Sequence, residues 1–201
     1  MKHRTLRLAA LLLLFSAIAL AQDVASFEKR VTVKKLPNGL TLLVCERHEA
    51  PVFSFFTLVD AGSVQDPMRA TGLAHMFEHM AFKGTDKIGT TDYAAEKAAL
   101  EKVETAYTAY LAERDKSVGQ DEAKLKQLEK AWKDAIAEAD KYVKPNEFGK
   151  IIEQNGGEDM NAFTNLDETA YHYSFPENRL ELWAYLESER FLHPEIGRAH
   201  V

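Results

Sequence analysis

Two histidines and a glutamate lie within five residues of this chain, as His75, Glu78 and His79. On an α-helix, residues four apart stack on one face, so the two imidazoles can bind a single zinc ion. Glu78 shares that face, where its carboxylate can take a proton from a metal-bound water without being a ligand. Zinc lowers the pKa of its water from about 15.7 to about 7, so this spacing predicts a water-activating centre that hydrolyses amide bonds.

The order of the three groups is unusual, because in the common zincins the glutamate follows the first histidine instead of preceding the second. The alternative is three solvated polar residues on a surface helix. Apolar residues crowd the motif as Met76, Phe77 and Met80. They favour a helix that buries much of its surface, on which the polar groups need a shared partner such as a metal ion. Manganese or cobalt would suit the same donors as zinc.

The chain has one cysteine, Cys45, so it forms no internal disulfide. Cys45 follows Val44 in an apolar segment without an activating partner nearby, which favours a buried thiol over a nucleophile. A structural zinc site would need four closed ligands, often cysteines, and is the weaker alternative for this reason.

Strand and helix patterns alternate along the chain in an order typical of an α+β domain, with an antiparallel sheet covered by helices. The strand Val52 to Val59 is apolar at nearly every position, which predicts a central strand covered on both faces. A helix begins near Thr71 or Gly72 and carries the motif. The other predicted elements are a hairpin of Val31 to Lys35 with Leu40 to Glu46, a helical hairpin over 92–143 broken at 117–120, a second strand pair of Met160 to Thr164 with Ala170 to Phe175, and a helix after Pro176.

Composition and charge narrow the function classes. The 201 residues are 46% hydrophobic and 28% charged, which favours one globular domain over disorder. The net charge is -6 and basic residues form no stripe, so nucleic acid is not expected as a partner. Basic residues precede an apolar run from Leu8 to Leu20, which predicts a signal peptide over 1–21 and export to the periplasm or the extracellular space. We expect no stable membrane span after cleavage, although an uncleaved anchor is the alternative.

The segment from Thr71 to Thr85, TGLAHMFEHMAFKGT, resembles the signature of the pitrilysin (insulinase-like) peptidase family, an inverted-zincin family with an HxxEH motif. Further family landmarks follow in the same order: the strand Leu40 to Glu46 after the turn Pro37 to Gly39, the turn Ala61 to Ser63, Gly156-Gly157 followed by Asn161 to Thr164, and Thr169 to Tyr171. The resemblance covers nearly the whole mature chain except 92–143, which resembles an insertion found in some bacterial members. The fold it implies is the metallohydrolase domain of that family, of the processing-peptidase type.

The resemblance implies a zinc-dependent endopeptidase or oligopeptidase with one Zn²⁺ per catalytic domain. His75 and His79 would be its metal ligands and Glu78 its general base. A peptide or small-protein substrate would bind as an added strand along Asn161, Ala162, Phe163 and Thr164, and a second homologous domain or subunit would close the cleft. The alternative is a non-catalytic family member that binds peptides or forms complexes.

The family's third ligand is a glutamate on a later helix, which we expect beyond the end of this chain. Glu187 and Glu189 match the preceding helix and are not assigned as ligands. We expect a catalytic domain over 22–194 that is truncated at its C-terminus and, as a fragment, inactive. The last seven residues, 195–201, back-translate to GAG ATC GGA AGA GCA CAC GTC. This reads like a sequencing adapter, and we expect a non-native tail in which His200 is not a ligand.

Overall fold

A computed structural model describes residues 27–200 of the chain. The predicted signal peptide, residues 1–21, lies outside the described residues. Within the described range, none of the helices combines the length and the apolar character needed to cross a bilayer. The described residues divide after Ala50 into two compact units.

The first unit contains an antiparallel hairpin of β1 (Val31–Lys35) and β2 (Thr41–Cys45), in which Val31 lies opposite Cys45. The turn is closed by hydrogen bonds from Leu36 N to Leu40 O (2.8 Å) and from Gly39 N to Leu36 O (3.0 Å). Gly39 has a φ of 92°, which glycine adopts without steric cost. The hairpin predicted from the sequence is confirmed, although Cys45 is only partly buried.

The second unit is built on a three-stranded antiparallel sheet of β3 (Val52–Val59), β4 (Glu158–Thr164) and β5 (Thr169–Pro176), in the order β3-β5-β4. The central strand is therefore β5, and among the described residues β3 lies at an edge. Its residues alternate in burial, and Phe56 and Leu58 are each 61% exposed. The prediction that this strand is central and covered on both faces is thus wrong. Apolar residues occupy its exposed face as well as its buried face, which hides the alternation in the sequence.

In the described part of the chain, five α-helices of eight residues or more accompany the sheet: α1 (Leu73–Met80), α2 (Tyr93–Arg114), α3 (Glu122–Ala139), α4 (Glu147–Gln154) and α5 (Leu180–Leu192). The main core lies between one face of the sheet and two of these helices. Tyr173 and Phe175 of β5 pack there with Phe148 and Ile152 of α4 and Leu186 of α5, all of them buried. This arrangement confirms the α+β class with an antiparallel sheet covered by helices.

A buried ion pair within α5 is hydrogen-bonded to the sheet. Arg190 is 2% exposed, and its Nη2 donates to Glu187 Oε1 at 2.5 Å. Glu187 also accepts from the hydroxyls of Tyr173 of β5 (3.0 Å) and Thr57 of β3 (2.9 Å). Burial and the Glu187 carboxylate raise the pKa of Tyr173, which keeps it a neutral donor. The Arg190 guanidinium lies over five aromatic rings, those of Phe82, Phe148, Tyr171, Tyr173 and Phe191.

The segment between α1 and α4 forms the predicted helical hairpin. Asp92 caps α2 by accepting from Ala95 N (3.1 Å), and Asp121 caps α3 by accepting from Ala123 N (2.9 Å). The apolar faces of the two helices pack on each other around Val103 and Ala139, both 0% exposed. The loop predicted at 117–120 lies between α2 and α3, as expected.

Glu113 closes this loop, and it gives the hairpin an acid-sensitive contact. Its carboxylate accepts from Lys116 Nζ (2.7 Å) and Asp121 N (3.0 Å) and lies 3.0 Å from Lys124 Nζ. These groups, the Lys116 bond first, lower the pKa of Glu113 from 4.5 to about 2. A carboxylate with a lowered pKa in the folded state stabilises the fold above its unfolded pKa and loses that effect on protonation.

We therefore expect the contribution of Glu113 to be complete above about pH 4.5 and to be lost as the pH falls towards about 2. Melting temperatures measured in a series of buffers from pH 6 to pH 2 test this expectation. Glu113→Gln should lower the melting temperature at pH 6, and its deficit relative to the unmodified chain should shrink on acidification. The exposed Glu101→Gln is the control for loss of a charge on the same helix. An equal deficit at every pH would contradict the prediction.

The residues at the end of the described chain pack against this region. Residues Ile196–His200 form a 3-10 turn, and Arg198 is fully buried with its Nε donating to Glu96 Oε1 at 2.6 Å. The non-native origin expected for 195–201 stays a prediction.

Candidate metal and catalytic site

The motif helix α1 is fixed at its start by a carboxylate from outside the helix. Asp66 accepts from Gly72 N through Oδ2 (2.6 Å) and from Ala74 N through Oδ1 (2.9 Å). The first backbone N–H groups of a helix have no intrahelical partner, so an anion there satisfies them and complements the helix dipole. Gly72 itself has a φ of 89°, a left-handed conformation that favours glycine.

The segment that carries Asp66, residues 61–66, also holds the turn between β4 and β5, and we name it the anchor segment. Ser63 N donates to Asn165 O (3.0 Å) and Val64 N to Leu166 O (2.9 Å). Gly62 lies so close to this turn that a Cβ at its position would stand 2.5 Å from Leu166 O. The sequence places glycine there because no side chain fits. One short segment therefore positions both α1 and the end of β4.

The two histidines of α1 lie side by side. The Nε2 atoms of His75 and His79 are 3.1 Å apart, and both side chains are exposed. Two nitrogens bound 2.0–2.1 Å from one tetrahedral zinc lie about 3.3 Å apart, so the observed separation fits a shared metal ion. At this distance one ring can donate its Nε2–H to the other, or both lone pairs can bind one cation.

Glu78 lies on the same turn of α1, but its side chain is 8% exposed. Thr164, the last residue of β4, donates its hydroxyl to Glu78 Oε2 at 2.5 Å. The expectation that the helix buries much of its surface is wrong, because Met76 and Phe77 are 45% and 46% exposed. In the described chain, α1 turns Glu78 and Met80 towards the protein and leaves the other apolar side chains of the motif in solvent. The argument from burial thus applies to Glu78 and not to the histidines.

The strand β4 runs beside this site and has a free edge among the described residues. Asn165 N bonds Glu168 O (2.8 Å), and the register pairs Thr164 with Thr169 and Ala162 with Tyr171. In an antiparallel ladder the hydrogen-bonded pairs alternate, so the backbone groups of Ala162 and Thr164 point to the free edge. Ala162 N is engaged there by Asn161 Oδ1 at 2.9 Å. The structure therefore places Asn161, Ala162, Phe163 and Thr164 on an open edge strand next to α1.

The structure also accounts for the two glutamates that the sequence leaves unassigned. Glu187 is engaged by Arg190, Tyr173 and Thr57, as described above. Glu189 is 5% exposed and accepts from Lys87 Nζ at 2.7 Å and Thr85 Oγ1 at 3.3 Å. Across residues 27–200, no group of three His, Cys, Asp or Glu side chains could hold a metal ion.

Tyr171 of β5 lies close to two carboxylates, those of Glu78 and Glu187. Its pKa is raised, first by burial and also by the charges of Glu78 and Glu187, while Arg190 acts in the opposite direction. Tyr171 is thus a neutral phenol near Glu78.

The sequence does not reveal two features of this site. Thr164 was expected to contact substrate, yet its hydroxyl bonds Glu78, a residue 86 positions earlier. Asp66 is the second, because it lies six residues before Gly72, outside the position directly before a helix at which a capping residue is recognised in a sequence.

Comparisons with a family model and with curated proteins both find peptidases. Residues 43–139 match the family model for insulinase, peptidase family M16. The mitochondrial-processing peptidase subunit beta of Saccharomyces cerevisiae is 43% identical over 51 residues, which cover 25% of this chain and 11% of that protein. The subunit of the same name from Lentinula edodes is 38% identical over 55 residues, covering 27% and 12%. Over residues 43–139 the chain is thus similar to peptidase family M16.

Two solved structures share the fold. A protease from Helicobacter pylori has a TM-score of 0.50 at 21% identity and covers 83% of this chain, which spans 26% of that chain. The first half of the periplasmic protease PqqL from Escherichia coli has a TM-score of 0.52 at 20% identity and covers 83% of this chain and 25% of its own. The chain thus spans about a quarter of these proteases and matches about a tenth of the curated relatives.

Proposed function

We propose that this chain carries the metal site and the general base of a zinc-dependent endopeptidase or oligopeptidase of family M16. The observation that carries the proposal is the separation of 3.1 Å between the Nε2 atoms of His75 and His79. The buried Glu78 directly precedes His79 on the same helical turn. Two metal-binding nitrogens and a base on one helical turn are the parts that a metal-assisted hydrolysis needs. The resemblance to proteases in fold and in family supports the same reaction.

His75 and His79 would hold the ion through Nε2. When bound there, zinc supplies a Lewis acid that polarises a carbonyl and lowers the pKa of a bound water. Structural zinc sites are closed by four ligands, whereas the exposure of both imidazoles leaves room for water and substrate. Two imidazoles form an incomplete set, so we propose that a glutamate from outside residues 27–200 is the third ligand.

Glu78 accepts the proton of the attacking water and later passes it to the amine that leaves. Glu78 lies beside the two proposed ligands, so it can reach a proton of the attacking water without binding the metal. Its low exposure limits the access of other water molecules to the carboxylate. Thr164 holds one oxygen of the carboxylate, so the side chain is oriented before substrate arrives.

The free edge of β4 suits an extended peptide. Backbone groups of Ala162 and Thr164 can pair with a substrate strand, which gives affinity for any sequence, while neighbouring side chains would set the preference. To bind there, the peptide must displace Asn161 Oδ1 from Ala162 N. A second homologous domain or subunit would close the cleft over the peptide, and we propose that the domain over 22–194 is inactive alone.

The cellular location of the protein is a separate proposal. The relatives include subunits of a mitochondrial peptidase and a periplasmic protease. We propose export, on the strength of the basic and apolar sequence over 1–21.

Metal binding by the chain itself tests this proposal without requiring cleavage. We expect one Zn²⁺ or Co²⁺ per chain by isothermal titration, with a Co²⁺ absorption band from nitrogen ligands. His75→Ala and His79→Ala should each weaken binding by more than the roughly 10–100-fold typical of an outer partner of a metal ligand. His193→Ala is the matched control, since His193 lies at the far end of α5. Equal affinity in all four proteins would exclude this metal site.

The alternative is a non-catalytic family member that binds peptides or assembles with a catalytic subunit. It predicts peptide binding without turnover in the whole protein. The complete set of His75, Glu78 and His79 favours the enzyme, because a binding subunit has no use for a base beside two metal ligands.

A further inference from the structure

We propose that Thr164 is a positioning residue for the general base Glu78, and that its hydroxyl is not a contact for substrate. This inference rests on the proposed function, because it assigns a role to a residue next to the proposed base. Thr164 ends β4, and its hydroxyl spans the gap between the sheet and α1 to reach Glu78 Oε2.

The hydrogen bonds around Thr164 show that its hydroxyl proton is donated to Glu78. A hydroxyl has one proton to donate. Thr169 lies opposite Thr164 in the strand register and uses its own proton for Ala61 O, at 2.9 Å. The Oγ1 atoms of the two threonines are 3.3 Å apart, but Thr169 has no second proton for Thr164. An ionised Glu78 accepts only, so the bond between Thr164 and Glu78 runs from hydroxyl to carboxylate.

The turn that follows Thr164 is held by a hydrogen bond across the turn and by hydrogen bonds to the anchor segment. The next residue, Asn165, bonds Glu168 across the turn at 2.8 Å and accepts from Ser63 N of the anchor segment at 3.0 Å. The same segment holds the start of α1 through Asp66. Donor and acceptor are therefore attached to one framework, which keeps the hydroxyl at a constant distance from the carboxylate.

Such a bond has a specific consequence for catalysis. A free glutamate rotates about three side-chain torsions, and only some rotamers direct an oxygen at the water. With Oε2 bound by Thr164, the remaining oxygen, Oε1, is the one assigned to the water. A substrate that bound the Thr164 hydroxyl would have to take it from the base, so contacts with the edge strand are left to its backbone and to the neighbouring residues.

The test compares two substitutions in the complete protein that contains this chain. Thr164→Val keeps the shape and removes the hydroxyl, and Thr164→Ser keeps the hydroxyl. For Thr164→Val we expect kcat to fall about 10-fold with KM unchanged, because a base that is held less well in its reactive orientation loses part of its usual contribution of about 10²–10⁴-fold. Thr164→Ser should recover most of that loss. Zn²⁺ affinity, measured by titration, should be the same in all three proteins.

Thr57→Val is the matched control, because the Thr57 hydroxyl also donates to a buried glutamate, Glu187, at 2.9 Å. It should leave kcat unchanged. A second readout is independent of turnover: crystal structures of Thr164→Val and Thr164→Ser should have Glu78 in altered and unaltered rotamers, respectively.

The outcomes separate the inference from the proposed function. A rise in KM at constant kcat in Thr164→Val would make Thr164 a substrate contact and overturn the inference. Equal losses in the serine and valine variants, or the wild-type rotamer of Glu78 in both, would also overturn it while the peptidase stands. A wild-type protein that binds no zinc and cleaves no peptide would overturn the proposed function, and this role with it.

Discussion

Glu78→Gln is expected to lower kcat for zinc-dependent peptide cleavage by about 10²–10⁴-fold, the usual contribution of a general base. Glutamine has almost the same shape and can still accept the Thr164 hydroxyl through its amide oxygen, but it cannot take a proton from water. Because Glu78 is not assigned as a ligand, Zn²⁺ affinity should change little. Steady-state kinetics on the complete protein, with zinc content determined in parallel, measures both quantities.

Two further results give this substitution its meaning. Glu181→Gln, at an exposed position of α5, is the control for removing a carboxylate and should keep full activity. A Glu78→Gln protein that binds peptide and functions as well as the unmodified one would favour the non-catalytic family member. A loss of zinc along with activity would make Glu78 a ligand and not a base.

Arg190→Met is expected to cause the largest loss of stability, about 3–5 kcal/mol, the range for breaking a buried ion pair by removing one partner. The side chains of Arg190 and Glu187 are 1% and 11% exposed, so the substitution leaves a carboxylate with little access to water. It also removes a cation from a cluster of aromatic rings. For a chain of this size the melting temperature should fall by roughly 10 °C.

Denaturant and thermal unfolding of the chain measure this effect. Arg114→Met is the matched control, since Arg114 pairs with Asp115 at the surface with 46% of its side chain exposed. That change should cost little, because surface ion pairs contribute little. The double variant Glu187→Gln and Arg190→Met should recover part of the loss, because no unpaired charge remains. A loss in Arg190→Met no larger than in Arg114→Met would contradict the importance of this pair.

How much of the site the sequence predicts depends on the range of the interactions. His75 and His79 are four residues apart, so the helix alone brings their rings together, and the helical spacing predicts this from local pattern. The turns at 37–39 and 165–167 are likewise encoded by residues next to one another. These local elements are where the sequence predictions agree with the structure.

Long-range contacts are a different matter. The bond between Thr164 and Glu78 joins residues 86 positions apart, and nothing in the local pattern of either segment indicates the other. The place of β3 at an edge also depends on strands more than 100 residues later, because β5 pairs with β3 and takes the centre. Apolar residues on both faces of β3 predict burial on both sides, and the described chain leaves Phe56 and Leu58 in solvent.

The anchor segment has a consequence for thermal motion at the site. Residues 61–66 hold the first turn of α1 through Asp66 and the end of β4 through Ser63 and Val64. A fluctuation that displaces this support carries the helix and the strand in the same direction, so their separation varies less than either position does. Glu78, the proposed base, and the edge of β4, the proposed peptide-binding strand, are thereby kept in mutual alignment during thermal motion of the domain.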